Sequence, residues 1–289
     1  MFVGDSSRID EGDRNVVVVD HTRRSLEVNG EQFVSCGFYI NSISQYLRNE
    51  ITLDTVLRDL TALGAQNVNH VYIYNMERLT DEDLALVLET LEDNNIMFVY
   101  SLIEQLYVVE NVTVGFNQTE GGWESLIASA DRVRKSSSLL GYYLCDDCSN
   151  FPLLEMSLAY TGLKKYDPFH PTFGADWSFP WANWIYGEQS DVGPAYDVPQ
   201  VENYKDTPDM HENDFENRVG MFFEPMVNSP PLYLIGDQWY GDDFGEDVPI
   251  SPPELEATLS FLSWIQFDAP GQVKVILFLH QREYQEERR

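Results

Sequence analysis

The segment Leu139–Cys148 (LLGYYLCDDC) gives the clearest indication of the architecture. It begins with an apolar run that contains no charge, which is typical of a strand buried on both faces. Two adjacent carboxylates, Asp146 and Asp147, follow this run. Barrels and open α/β sheets place their chemistry at the carboxyl ends of such strands. The acid pair could instead cap the next helix or solvate a loop, so the rest of the chain has to decide.

The composition indicates a folded protein that does not bind polyanions. The chain has 289 residues, of which 43% are hydrophobic and 13% aromatic, enough for a sizeable core. Its net charge is -30, from 48 acidic and 18 basic residues. A surface of this sign repels phosphate groups, so we expect neither nucleic acid nor an anionic membrane as a partner. Neutral ligands or cations fit better, and some of the aromatic rings could stack on sugars.

Targeting signals point to two possible locations. No window approaches 18 consecutive apolar residues, so we expect no membrane span. The segment Met1–Asn15 shows no basic region followed by an apolar one, as a signal peptide would. Two glycosylation sequons begin at Asn111 and Asn117, and they matter only in a secreted protein. The protein is expected to be either intracellular or a secreted glycoprotein that has lost its leader, and we favour the second.

The three cysteines do not indicate a disulfide framework. Cys145 and Cys148 form a C-x-x-C motif around the acid pair, and Cys36 lies far away in sequence. A zinc site would need further soft ligands at suitable spacing, and a redox motif would need a helix start in a thioredoxin-like context. We therefore predict ordinary buried thiols, and we expect no metal and no cofactor.

Strand and helix patterns alternate along the chain. An amino-terminal β-hairpin is predicted from strands at Asn15–Asp20, Ser25–Val28 and Gln32–Val34, with Asn29-Gly30 as its turn. Eight further strands are predicted at Phe33–Ile40, Val68–Tyr74, Ile96–Leu102, Leu139–Cys145, Thr172–Asp176, Asp197–Val201, Leu232–Gly236 and Val273–Leu279. Helices are predicted from Leu53 to a stop at Gly64, from the cap Thr80 with Asp83, over Trp123–Lys135, Leu153–Lys165 and Phe215–Phe223, and from the cap Ser251.

This alternation predicts an α/β protein with a TIM, or (β/α)₈, barrel. We expect one domain over residues 1–289, with an arm and hairpin in residues 1–32 and the barrel in residues 33–280. The final helix is expected to be short or missing, because only QREYQEERR follows the last strand.

A barrel would bring the residues that follow each strand to one mouth. These residues are Tyr39, Asn41, Tyr74, Asn75, Glu104, Asp146, Asp147, Asp176, Trp177, Glu202, Tyr204, Asp237, Gln238, Trp239 and His280. They combine acids, amides and aromatic rings, which is the mixture that a neutral sugar requires. At this net charge a solvated loop would also be rich in acids, so the interleaved aromatic residues carry more weight.

Glycoside cleavage needs two carboxyl groups, one protonated as a general acid and one ionised. Asp146 and Asp147 could keep one proton between them, but consecutive residues diverge, so the second group should come from another strand. Glu202 and Asp237 are the candidates. Glu202 could instead pair with Lys205, and Asp237 could be one of several solvated loop carboxylates. No phosphate-binding glycine loop, G-x-S-x-G elbow or His-Glu-x-x-His motif occurs.

Several of these stretches resemble the clan A glycoside-hydrolase-like barrels, including their uncharacterised members. GYYLCDDC looks like the "GYY-x-x-D-E-P" ending of their fourth strand, with Asp146 at the Asp and Asp147 at the Glu. Other similar stretches are LEVNGEQFVSCGFYI (entry strand), LKKYDPFHPT (the Asp-Pro, His-Pro step at Asp167, Pro168, His170 and Pro171), and GDQWYG with SPPELEATLSFLSWIQFDA (seventh strand). Together they cover most of Leu26–Leu279.

The resemblance implies a β/α barrel that acts on a glycoside, with Asp147 as the proton donor. The family's nucleophile is a Glu after the seventh strand, where this chain has Asp237-Gln238. Glutamine cannot serve as a nucleophile, which argues against retaining hydrolysis. Shorter acids would also widen the gap between the two carboxyl groups, and a wider gap favours attack by water and inversion.

The sequence therefore predicts a glycosidase for a neutral oligo- or polysaccharide. Asp147 would be the acid, Asp146 would orient it, and Glu202 or Asp237 would be the second carboxylate. Predicted substrate-binding residues are Tyr39, Tyr74, Asn75, Glu104, Asp176, Trp177, Tyr204, Gln238, Trp239 and His280. Two alternatives remain open: a catalytically inactive carbohydrate-binding barrel, and a structural protein whose acidity recruits cations.

Overall fold

The protein contains a small antiparallel sheet and a large parallel one. The computed structural model describes residues 15–20, 25–33, 36–103, 122–145, 153–176, 196–203, 233–236 and 277–280. The small sheet comprises β1 (Val17–Asp20), β2 (Ser25–Val28) and β3 (Glu31–Phe33). The large sheet comprises β4 (Cys36–Ile40), β5 (His70–Ile73), β6 (Met97–Ser101), β7 (Leu139–Cys145), β8 (Thr172–Asp176), β9 (Val198–Asn203), β10 (Tyr233–Gly236) and β11 (Leu277–His280).

The predicted amino-terminal hairpin is confirmed. Asn29 and Gly30 join β2 to β3 with φ angles of 54° and 83°. Two consecutive left-handed residues are typical of the tight hairpin turn that Asn-Gly favours. Val17 and Leu26 of this sheet are buried in the same apolar cluster as residues of β4 to β9. The small sheet therefore packs directly against the large one.

The eight strands of the large sheet are parallel and lie in the order β10-β9-β8-β7-β6-β5-β4-β11. All eight predicted strands are present, and β7 and β8 have the predicted bounds. Strand β9 extends past its predicted end at Val201, because its pairing with β10 continues to Asn203. Glu202 therefore lies within the strand, paired with Ile235, and not after it. The two outermost strands, β10 and β11, also lie next to each other.

The described part of the chain contains five α-helices. They are α1 (Ser42–Leu47), α2 (Leu53–Ala65), α3 (Asp81–Asp93), α4 (Gly122–Asp131) and α5 (Leu153–Tyr166). Helix α1 was absent from the prediction because its six residues are too few to show a period. Helix α4 ends four residues before the predicted Lys135, where turns replace it. None of these helices combines the length and apolar character needed to cross a membrane.

Asparagine, and not glycine, ends the first three helices. The prediction that Gly64 stops α2 is wrong, because the helix runs on to Ala65. Asn49, Asn67 and Asn95 follow α1, α2 and α3 with φ angles of 61°, 62° and 54°. Asparagine tolerates this left-handed conformation better than most residues. At Gly64 a Cβ atom would lie 2.7 Å from the Asn94 Cβ, so this glycine instead allows a close approach to the loop after α3.

The parallel sheet separates two apolar layers. Outward-facing residues such as Ile73 and Tyr142 pack against the helices, together with buried residues of α2 and α3. Inward-facing residues form the second cluster, which includes Tyr39, Tyr72 and Tyr143. Neighbours along one strand therefore face opposite layers, as the period of two requires. The inward layer leads to the edge of the sheet where the candidate site lies.

Replacing Thr80 with alanine should destabilise the protein by about 1 kcal/mol. The Thr80 hydroxyl accepts a hydrogen bond of 3.1 Å from the Asp83 N–H, which confirms the predicted start of α3. Alanine removes this acceptor, and urea denaturation would measure the loss. Thr61→Ala is a matched control, because Thr61 is an exposed residue inside α2 and alanine favours helix. Equal midpoints for the two variants would contradict the capping role.

Candidate functional site

Only part of the predicted site lies in the described residues. Side chains are described for Tyr39, Tyr74, Asn75 and the exposed Asn41, which directly precedes α1. Asp176, Glu202 and His280 are placed as strand residues. Outside the described residues lie Glu104, Asp146, Asp147, Trp177, Tyr204, Asp237, Gln238, Trp239, Cys148, the two sequon asparagines Asn111 and Asn117, and the helices predicted at 215–223 and from Ser251.

The strand register brings several of these positions to one edge of the sheet. Tyr39 pairs with Tyr72 on one side and with His280 on the other. Asp176 pairs with Val201, one residue before Glu202. In parallel strands the carboxyl ends share one edge, where α/β folds place their ligands. Strand β7 ends at Cys145, so the chain reaches Asp146 immediately after this edge.

Three tyrosines form a cluster at this edge, and we refer to Tyr39, Tyr74 and Tyr143 as the edge tyrosines. The Tyr39 and Tyr74 rings are stacked, with centroids 5.6 Å apart and an interplanar angle of 17°. Tyr143 meets each of these rings edge-on at 6.2 Å. The Tyr39 hydroxyl donates a hydrogen bond of 3.3 Å to the Tyr143 hydroxyl. Tyr39 and Tyr143 are buried, whereas Tyr74 is half-buried.

The sequence predicted Tyr39 and Tyr74 but missed Tyr143. Tyr142 and Tyr143 are adjacent in an apolar strand, and composition alone cannot tell which of them faces inward. In the structure Tyr142 packs towards the helices and Tyr143 joins the inward layer. The period of two along the strand does not supply the missing signal, because the register of β7 against β8 shifts between Tyr143 and the strand end at Cys145.

Asn75 lies beside this cluster in a strained conformation. It follows β5 with φ 64° and precedes a short 3₁₀ turn, Met76–Arg78. Its Nδ2 atom donates a hydrogen bond of 2.7 Å to the Ser44 Oγ of α1. A left-handed residue other than glycine is uncommon, and such residues cluster at functional sites. This geometry fixes the Asn75 amide at the edge of the sheet.

His70 lies deeper in the inward layer. Its ring contacts Tyr72 edge-on at 5.4 Å and Phe33 of the small sheet at 6.5 Å. Burial lowers the pKa of His70 from 6.5 to about 3. A Cβ atom at Gly37 would overlap the His70 ring and backbone, so glycine is required on the neighbouring strand. His70 is therefore a neutral core residue at pH 7 and not a candidate acid or base.

His70 should make the protein sensitive to mild acid. The unfolded residue takes up its proton near pH 6.5, whereas the folded residue takes it up only near pH 3. Its contribution to stability is therefore complete above pH 6.5 and is lost as the pH falls towards 3. Between pH 6.5 and pH 5 the loss is about 2 kcal/mol. Urea titrations over this range should show a steeper pH dependence for the wild type than for His70→Gln, and parallel curves would contradict the assignment.

Within the described ranges, no group of three or more His, Cys, Asp or Glu side chains could hold a metal ion. The side chains described at the edge of the sheet are aromatic rings, a pair of hydroxyls and an amide. Such groups bind a ligand through apolar faces and hydrogen bonds.

Comparison with known proteins relates this fold to glycoside hydrolases. No protein-family model and no curated protein sequence matches the chain. The β-glucuronidase of Bacteroides uniformis is similar in structure, with a TM-score of 0.63 and 12% identity over 91% of this chain and 32% of its own. The Parabacteroides merdae β-glucuronidase gives 0.56 and 11%, over 92% and 34% of the two chains. A GH2 β-galacturonidase from Eisenbergiella tayi, bound to galacturonate, gives 0.51 and 12%, over 93% and 47%.

This chain spans about a third to a half of the length of these enzymes. At such low identity the likeness concerns the fold alone. The protein has a mixed α/β fold with a parallel sheet, and this fold is like that of glycoside hydrolases.

Proposed function

We propose that the protein is a glycosidase that cleaves O-glycosidic bonds in a neutral oligo- or polysaccharide. The observation that carries the proposal is the cluster of edge tyrosines at the carboxyl edge of the parallel sheet. The cluster lies on β4, on β7 and directly after β5, and β7 is the strand that leads into Asp146 and Asp147. A glycosidase needs aromatic rings that hold the sugar and a carboxyl group that donates a proton, and the end of β7 would supply the latter.

We further propose that the large sheet closes into a (β/α)₈ barrel over residues 33–280. Eight parallel strands in one sheet, with helices packed on its outward face, support this architecture. The adjacency of β10 and β11, the two ends of the strand order, supports closure. A closed barrel would bring the carboxyl ends of β7, β9 and β10 around one hollow. This is the arrangement that two carboxylates from different strands need.

The proposed reaction uses Asp147 as general acid. Asp147 gives its proton to the glycosidic oxygen as the bond to the anomeric carbon breaks, and Asp146 orients it. A second carboxylate, Glu202 or Asp237, takes a proton from a water molecule that attacks the anomeric carbon from the opposite face. The products are a hemiacetal of inverted configuration and a free alcohol. Glu202 is two strands from β7, and Asp237 follows β10 directly.

A carbohydrate-binding protein without catalytic activity is the second candidate. Asp237-Gln238 occupies the place where the clan A glycoside-hydrolase-like barrels have their nucleophile, and the amide of Gln238 cannot form a glycosyl ester. The edge tyrosines would serve binding equally well in either case.

Turnover assays on a broad panel separate the two functions. The panel should contain nitrophenyl glycosides and reduced oligosaccharides, together with the β-glucuronide and β-galacturonide suggested by the structural neighbours. We expect cleavage of a neutral substrate, with proton NMR showing the inverted anomer first. Saccharide binding without any turnover would support the inactive alternative, and failure to bind any saccharide would refute both.

A further inference from the structure

We infer that Tyr74 and Asn75 form one sugar subsite. In this subsite the Tyr74 ring stacks on the apolar face of a pyranose, and the side-chain Oδ1 of Asn75 accepts a hydrogen bond from a hydroxyl of the same sugar. This inference rests on the proposed function and names the ligand class more closely. It requires a saccharide whose ring presents a continuous C–H face, as gluco- and galacto-configured β-linked sugars do.

The exposure of the edge tyrosines indicates which ring meets the ligand. Tyr39 and Tyr143 are 6% and 1% exposed and joined by their hydroxyls, so they form a fixed support. Tyr74 is the half-buried member and stacks on Tyr39 at 5.6 Å. A ring held against a rigid partner loses little entropy when a ligand covers it. Tyr74 is therefore positioned as a platform at the rim of the cluster.

The backbone of Asn75 gives an independent argument. Four other asparagines in the described residues have positive φ, and each has a local explanation: Asn29 is in the hairpin turn, and Asn49, Asn67 and Asn95 end helices. Among these five, Asn75 is the one that lies at the carboxyl edge of the large parallel sheet, where the ligand is expected. Strain at such a position is retained when the side chain or backbone is needed there.

The hydrogen bond to Ser44 determines which atom of Asn75 is presented. Nδ2 donates to the Oγ of Ser44, which is itself buried, so the amide plane is fixed. Because this hydrogen bond uses Nδ2, the Oδ1 atom of Asn75 can act as an acceptor for a ligand. Tyr74 and Asn75 are consecutive, so one short segment offers both an apolar face and a polar acceptor. A pyranose has the same two features, an apolar ring face and hydroxyls at its rim.

Binding of cellotetraose, xylotetraose and galactotetraose to the full chain, measured by calorimetry, tests the inference. Tyr74→Ala should weaken binding of the best ligand roughly tenfold, in line with the loss of one aromatic contact. Tyr74→Phe keeps the ring and should lose much less. Asn75→Gly removes the amide but accepts the left-handed backbone, and should weaken binding several-fold. Asn75→Asp restores the acceptor and should recover most of that loss.

Asn67→Gly is the matched control, because Asn67 has nearly the same φ but is exposed at the end of α2. It should bind as the wild type does, and thermal melting of every variant checks that it is folded. The inference is overturned if the wild type binds a saccharide and both Tyr74→Ala and Asn75→Gly bind it equally well. A wild type that binds none of the probes or panel sugars overturns the proposed function itself, and this inference with it.

Discussion

Replacing Asp167 with alanine should destabilise the protein by about 3 to 5 kcal/mol, because it removes the acceptor at the centre of a buried hydrogen-bond network. Asp167 Oδ2 accepts hydrogen bonds of 2.7 Å from both the Tyr142 hydroxyl and His170 Nδ1, and Oδ1 accepts one of 3.1 Å from the Phe169 N–H. Asp167 and His170 are fully buried. Alanine would leave these donors without an acceptor in a region that water does not reach.

The control for Asp167 is another aspartate with similar partners at the surface. Asp131 accepts hydrogen bonds from Tyr166 and Arg134 at 2.6 and 2.5 Å, but its side chain is 53% exposed. Asp131→Ala should therefore cost about 1 kcal/mol or less. Guanidinium denaturation at pH 7 compares the two variants. A loss for Asp167→Ala no greater than that for Asp131→Ala would show that the buried network is not stabilising.

Acid should reduce the difference in stability between the wild type and Asp167→Ala. Burial alone would raise the pKa of Asp167, but the hydrogen bonds from His170, Tyr142 and the Phe169 N–H, with the charge of His170, hold it below the ordinary value. A carboxylate with a lowered pKa stabilises the fold above its unfolded pKa, and this contribution is lost as the pH falls through the folded pKa. The difference between the two proteins in their free energy of unfolding should therefore disappear only below about pH 4. This range is more acidic than the one where His70 first acts.

The sequence was informative wherever one local rule acts on its own. The apolar run at Leu139–Cys145 and the short strand Thr172–Asp176 were predicted with their observed bounds. Serines and acids flank the first strand, whereas Pro171 precedes the second strand and Asp176 is its last residue. The Asn29-Gly30 turn and the Thr80 cap were correct for the same reason, since each depends on a few adjacent residues. The helix predicted at Leu153–Lys165 is also correct to within one residue, because Asp167 and Pro168 follow its end.

Errors arose where distant partners decide the outcome. Glycine commonly ends helices, but Gly64 lies inside α2, where its missing side chain allows Asn94 at the end of α3 to approach closely. Glu202 was placed after its strand, but pairing with β10 extends the strand past it. Neither partner can be recognised from the residues next to Gly64 or Glu202. The strand order itself depends on contacts of this kind.

At the candidate site, the sequence predicted which side chains would lie at the edge of the sheet better than it predicted the contacts between them. The rule that ligands bind at the carboxyl ends of parallel strands identified Tyr39, Tyr74 and Asn75, which lie together at the edge of the sheet. It did not indicate the hydroxyl pair between Tyr39 and Tyr143 or the support of Asn75 by Ser44. Both depend on side-chain directions from strands and helices far apart in sequence. The positions of the carboxylates proposed for catalysis stay a prediction.

Asp147→Asn should lower turnover of an oligosaccharide by about 10²- to 10⁴-fold, which is the usual effect of removing a general acid. An asparagine has nearly the same shape but no proton to give to the leaving alcohol. Turnover of nitrophenyl glycosides should fall much less, because nitrophenolate leaves without protonation. The alkaline limb of the pH profile of kcat/KM should also disappear, because that limb reports ionisation of the acid. These three effects together distinguish a lost proton donor from a damaged fold.

Asp93→Asn serves as the matched control, because Asp93 is an exposed carboxylate at the end of α3, far from the acid pair in sequence. It should turn over both kinds of substrate like the wild type. Calorimetry with the same oligosaccharide should show that Asp147→Asn still binds, since the edge tyrosines are unchanged. If Asp147→Asn cleaves the oligosaccharide at the wild-type rate, Asp147 is not the acid. If both proteins bind the sugar and neither cleaves any substrate, the protein binds carbohydrate without hydrolysing it.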